Sequence, residues 1–185
     1  MSRRIRMSRR IPLSLALAVA IAVAVATAGL AASAPAQTPP TAELKGAFQM
    51  SGRVTVARNV SGERAGQLVQ RTWTFTPQCS QAPCAGVQLV RERATGTDTL
   101  TLQLTAAGTY TGSGRFFAPL RCSGHIYPQG QEIPFRITVH ITAVNGSVAS
   151  AISATYVNRS RINLTRCIGV LGHDSARYTG QLTAG

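Results

Sequence analysis

This 185-residue sequence predicts an all-β domain, most simply an eight-strand antiparallel up-and-down β-barrel. Three observations lead there. Apolar and polar residues alternate with period two along most of the chain after residue 45, the pattern of strands with one buried and one wet face. Hydrophobic residues make up 44% and charged residues 14%, so the polar remainder is mostly Thr, Ser, Gln and Gly, a β-rich rather than a disordered composition. Turn chemistry recurs at short intervals between the alternating runs. A two-sheet β-sandwich with Greek-key links satisfies the same local pattern and is the alternative.

The first 36 residues stand apart. Arg3, Arg4, Arg6, Arg9 and Arg10 form a basic head, Ile11 to Leu30 is an almost unbroken apolar run, and Ala34-Pro35-Ala36 is a small-residue exit. Those are the three parts of a secretory signal peptide, predicted to be cut after Ala36, with Ala34 as the second choice. The apolar run of about twenty residues is long enough to span a bilayer if it stays uncut. Either way the basic head stays cytoplasmic and the remainder lies outside, secreted or held at the cell envelope. The opening Met-Ser-Arg-Arg-Ile recurs at Met7, so Met1 and Met7 both qualify as starts. Residues 37–45 read as a linker and residues 46–185 as a single domain.

Within the domain, Phe48, Met50, Gly52, Val54 and Val56 alternate with polar residues and define the first strand. Leu100, Leu102 and Leu104 do the same in a middle strand, and Phe135, Ile137, Val139, Ile141 and Ala143 in a later one. Weaker runs at 67–76, 86–94, 108–118, 148–158 and 174–183 complete the set. The links Thr95 to Asp98, Ala106 to Gly108 and Asn145-Gly146 are turn-rich, and Asn-Gly is the strongest short hairpin signal, with positive φ required at both central residues. Consecutive hairpins that all present one apolar face favour a closed barrel, which leaves no exposed edge. Tyr110-Thr-Gly112 and Tyr178-Thr-Gly180 echo one another, and in each the Tyr and Gly share a face, as where aromatics cross over strand glycines.

Four cysteines in an exported chain predict disulfides. Cys79 and Cys84, flanked by Pro77 and Pro83, read as a short loop stapled at its base. Cys122 and Cys167 each lie in a Gly/Asn/Pro-containing stretch between strand-like segments, so a bridge between them ties two long loops together. Closing a loop of that length stabilises by roughly 4 kcal/mol in the chain-entropy model. The spacing Cys122-Ser-Gly-His125 is half of a zinc motif, and its second half is missing, so no metal is expected. Trp73-Thr-Phe75-Thr-Pro77-Gln-Cys79-x4-Cys84, with the later Tyr-Thr-Gly and paired loop cysteines, resembles small secreted actinobacterial proteins that carry a W-x-F-x-P-x-C-x(4)-C hairpin, a group with no assigned activity. The resemblance spans most of the exported part. It implies an all-β, disulfide-stapled exported domain and transfers no catalytic residues.

The residues argue for binding rather than catalysis. The acids Glu43, Glu63, Glu92, Asp98, Glu132 and Asp174 fall mostly in turns or on wet faces, and no paired-carboxylate arrangement emerges. There is no nucleophile elbow and no H-E-x-x-H helix. His173-Asp174-Ser175 contains the three triad residue types, but adjacent residues seldom converge as a triad must. Gly112 and Gly114 lie inside a strand with no helix after them, so they form no phosphate cradle. The expectation is a non-enzyme without cofactor.

Two binding modes follow. An eight-strand barrel is just wide enough to be filled by side chains or to hold one small ligand. Arg71 is in phase with Val69, Trp73 and Phe75, and Arg91 with Val87 and Leu89, so both guanidinium groups are candidates to grip a small acidic or apolar ligand, with Tyr110, Tyr156 and Tyr178 on the wall. The alternative is a cell-envelope surface protein that meets anionic polymers or a membrane through an Arg-rich face. Beyond residue 36 the chain keeps Lys45 and thirteen arginines against six acids, a net +8. Outward Arg53, Arg115, Arg121, Arg136, Arg159, Arg161, Arg166 and Arg177 would present it, most densely at Arg159, Arg161 and Arg166. Nucleic acid is not an expected partner, because the domain is exported and its few aromatics do not interleave with basic residues.

Overall fold

The computed structural model describes residues 42–169 and 171–183. The predicted signal peptide and residues 37–41 of the linker lie outside them. Eight long strands make the body: β1 (Gly46–Arg58), β2 (Leu68–Pro77), β3 (Gly86–Arg93), β4 (Gly96–Ala106), β5 (Thr109–Cys122), β6 (His125–Asn145), β7 (Val148–Asn158) and, after the two-residue β8 (Ile162–Asn163), β9 (His173–Leu182). Each long strand pairs antiparallel with the next, and β9 returns to pair with both β7 and β1. The sheet therefore closes as an eight-strand up-and-down barrel, and the sandwich alternative falls away. Strand β8 pairs only with β6, at Gln131↔Asn163 and Glu132↔Ile162, outside the ring.

Period-two alternation sets what fills the barrel. Phe48, Met50, Trp73, Phe75, Leu89, Leu102 and Ile137 are all buried on the inner face. Inward glycines face large partners across the ladder: Gly52 opposes Tyr178 and Gly114 opposes Phe135. A methyl group at either position would collide with the ring that lies over it, so the missing side chain makes room for the aromatic. The echoed glycines differ from the expectation: Gly180 opposes Met50, and a methyl group at Gly112 would meet Leu102 and the Thr101 carbonyl, so no aromatic crosses over either.

The two ends are closed differently. At the end where β1 begins, part of the expected linker is built in. Ala42 and Leu44 are buried, and Glu43 bridges to Val148 while its N–H donates to the Ser147 carbonyl at 2.8 Å. Residues 42–45 are thus a plug for this sealed end. The Cys79–Cys84 bridge lies at the same end, with Cys84 fully buried.

The opposite end, the mouth, carries the β1–β2 loop and an overhang. Beyond Arg136 towards the β5–β6 turn, β6 pairs only with β5 and β8, so the hairpin projects past the barrel wall. Its turn is Ser123–Gly124, both at positive φ (47° and 82°), the pattern expected at Asn145-Gly146. At that second hairpin Asn145 pairs with Val148, and Gly146 (φ 60°) begins the turn. Cys122 and Cys167 form the second disulfide and fasten the β7–β9 connection to the overhang, which removes Cys122 as a thiol ligand. Two bridges fit an oxidising compartment.

Candidate functional site

Position 91 is the key to the interior. In β3 the side chains of Val87, Leu89 and Arg91 all turn inward, so the alternation that builds the core also carries a guanidinium into it. Across the β3–β4 hairpin its register partner is Asp98. Arg91 Nε and Nη2 donate to Asp98 Oδ2 at 3.1 and 2.8 Å, and Arg93 Nε donates to Oδ1 at 2.7 Å. The Arg91 guanidinium also lies 4.3 Å from the centre of the Phe135 ring and 4.8 Å from that of Tyr156, while Arg93 stacks 4.1 Å from Phe116. Ring faces are negative, so the aromatics add to what the carboxylate supplies. Asp98, expected as a turn acid, is instead a buried counter-ion inside β4.

A second buried pair stands higher in the mouth. Arg161 Nη2 donates to Asp174 Oδ1 at 3.1 Å, with each side chain only 8% exposed. Arg161 therefore does not belong to the outer basic face, because it is spent on neutralising Asp174. Asp174 in turn leaves the His173-Asp174-Ser175 run, and Ser175 Oγ shares a 2.8 Å hydrogen bond with Thr55 Oγ1 on β1. No triad geometry forms there. Burial, and then the Asp174 charge, push the Tyr156 hydroxyl far above its ordinary range, with Arg91 and Arg161 pulling back. Tyr178 is raised as well, chiefly by burial. Glu63, in the β1–β2 loop, is exposed as a residue, yet crowding at the mouth raises its carboxyl above the usual range. Asp174 pushes the same way, and Arg161 and Arg71 oppose it.

The six residues expected around one ligand are distributed along the barrel interior, from the mouth to the sealed end. Trp73 packs 5.1 Å from Tyr178 and edge-on to Phe75, fully buried. Arg71 is half-buried and donates from Nη1 to the neighbouring Gln70 carbonyl at 2.7 Å. Tyr110 lies at the sealed end, where burial and Glu43 raise its hydroxyl. Arg91 and Tyr156 are partners in the stack described above. Asp98 is the counter-ion of the inward guanidinium, with the rings of Phe135 and Tyr156 beside it.

A concavity lies on the outside of the barrel. A groove of about 460 Å³ runs over the outer face of β5, β6 and β7. Cross-strand register builds its floor: Ser113, Arg136 and Val157 form one row and Thr138 and Thr155 pair in the next. Arg159 and Ser160, just past the end of β7, close one side. The groove thus offers two guanidinium groups among hydroxyls, the donor set that grips phosphate or carboxylate oxygens. Among the described residues neither Arg136 nor Arg159 meets a carboxylate within ion-pair distance.

Ion pairing sharpens the outer charge. Asp98, Asp174, Glu43 and Glu132 are each paired, with Arg91 and Arg93, Arg161, Lys45 and Arg115 respectively. Among the described residues that leaves nine arginines but only Glu63 and Glu92 without such a partner. The chain matches no family model, no curated protein and no solved structure. The sequence marks Arg136 and Arg159 as outward but does not show the hydroxyls of Ser113, Thr138 and Thr155 beside Arg136. They come from three strands, and only the pairing register puts them side by side.

Proposed function

We propose that this is an exported, non-enzymatic binding protein that holds an anionic cell-envelope polymer, one with repeated phosphate or carboxylate groups, on the outer face of its barrel. The observation that carries the reading is the groove that Arg136 and Arg159, both without a carboxylate partner among the described residues, line together with the hydroxyls of Ser113, Thr138, Thr155 and Ser160. It is preferred to an enclosed ligand because Arg91, the inward guanidinium, already has Asp98 as its counter-ion. Export is supported by the basic-apolar-small leader and by the two disulfides.

Titration calorimetry with a poly(glycerol phosphate) chain tests it. Binding should weaken steeply as salt is raised, and R136Q/R159Q should lose at least about tenfold in affinity, one charge-assisted hydrogen bond or more per arginine. Affinity indifferent both to salt and to these two arginines would overturn the reading.

A further inference from the structure

The mouth end carries a surface that the groove does not use. Eight large apolar side chains stand exposed among the described residues, and every one except Val144 lies at the mouth. Six of these belong to one lobe: Phe117 on β5, Ile126 and Tyr127 on β6, Ile162 in β8, and Leu164 and Ile168 in the segment that follows. Ile168 is wholly exposed. A monomer rarely gathers exposed apolar residues at one pole without a use for them.

Charge says what kind of surface the lobe fits. Residues 115–131 and 159–169 contain no Asp or Glu. Arg121 and Arg166 lie beside the apolar residues in sequence and, among the described residues, meet no carboxylate. The nearest acid, Glu132, sits between Phe117 and Ile162 in the ladder and is paired with Arg115 at 3.4 Å. Apolar tips with arginines next to them, Arg121 opposite Ile126 in the ladder and Arg166 two residues before Ile168, match the layering of a bilayer interface: acyl chains within, negative headgroups at the edge. The Cys122–Cys167 bridge and the β6–β8 pairing hold the two halves of the lobe together in advance, so little ordering entropy is lost on docking.

We propose that this stapled lobe seats the protein on an anionic phospholipid surface, with Ile126, Ile162 and Ile168 entering the acyl boundary and Arg121 and Arg166 meeting headgroup phosphates. The proposal goes beyond the polymer groove and stands on different residues.

Vesicle flotation tests it, using protein released into the medium by cells that express the full chain. Phosphatidylcholine vesicles with about a third phosphatidylglycerol should carry the protein, and pure phosphatidylcholine should carry much less. Because Ile126 and Ile168 are exposed, I126S/I168S should fold as the parent does, checked by its thermal transition, and lose at least about tenfold in partitioning. R121Q/R166Q should lose roughly thirtyfold on the anionic vesicles. Equal binding to both lipids, or flotation untouched by I126S/I168S, overturns the proposal. So does a dimer that ignores vesicles and that I126S/I168S dissolves, which would assign the lobe to a second copy of the chain. R136Q/R159Q separates this proposal from the groove, since failure of polymer binding there leaves flotation in place.

Discussion

The two ends of this barrel solve the same problem in opposite ways. Both must cover the openings of an eight-strand ring. At the sealed end the chain does it with apolar mass: Leu44 folds in ahead of β1, Cys84 is buried in its short loop, and Tyr110 fills the remaining space. At the mouth it does it with paired charge, Asp98 between Arg91 and Arg93, and Asp174 with Arg161. Apolar plugs rest on area and tolerate small errors of position. A charged plug rests on geometry, because each ion taken from water must be repaid by its partner. The sealed end is thus closed by apolar packing, whereas at the mouth Asp98 and Asp174 are paired inside while Glu63 and Glu92, with several arginines, have no ion-pair partner among the described residues.

Breaking the charged plug should have the largest effect. Asp98→Ala leaves Arg91 and Arg93 without their carboxylate, and the loss of stability in denaturant unfolding should be about 3–5 kcal/mol. Arg91→Met in the same background should recover part of that, because an apolar side chain suits the rings of Phe135 and Tyr156 better than an unpaired cation. Without that recovery, the buried ion pair would not be what Asp98 serves. The apolar plug comes next. Leu44→Ala removes a fully buried side chain and should cost about 2–4 kcal/mol, with no change in polymer or vesicle binding, since groove and lobe are elsewhere.

The smallest effect is expected at Glu63. Its raised carboxyl means the folded protein holds a proton more tightly than the unfolded chain does. Ionisation of Glu63 therefore works against the fold, and its penalty grows as pH rises through the raised value. Glu63→Gln should slightly raise the thermal midpoint at neutral pH, do nothing well below the ordinary carboxylate range, and flatten the pH dependence between. A loss of stability at neutral pH would mean that Arg161 and Arg71 outweigh burial at this carboxyl.

What could be read in advance follows the range over which each interaction acts. The strand pattern and the short links are local, and they were legible from residues such as Leu100, Leu102 and Leu104. Strand β6 was read only over 135–143 because Pro128, Gly130 and Pro134 interrupt the alternation, although its pairing with β5 runs on to His125. Ser123–Gly124 carried a turn signal of its own, hidden by the zinc-like spacing of Cys122 and His125. Asp98 followed a turn-rich stretch and was read as a turn acid, because nothing local says that its partner is the inward Arg91. Arg161 looked like its neighbours Arg159 and Arg166 for the same reason.

Alone, the sequence determined that the chain is built from alternating strands and that its surface is basic, because side-chain period and net charge are properties of neighbours along the chain, whereas which glycines make room for rings was decided across strands, at Gly52 and Gly114. The pairing of β9 with β1 that closes the ring, the fate of each arginine as counter-ion or free cation, and the hydroxyls that line one groove with Arg136 and Arg159 were decided only by tertiary structure. Each of these depends on cross-strand register, and register sets which distant residues share a face.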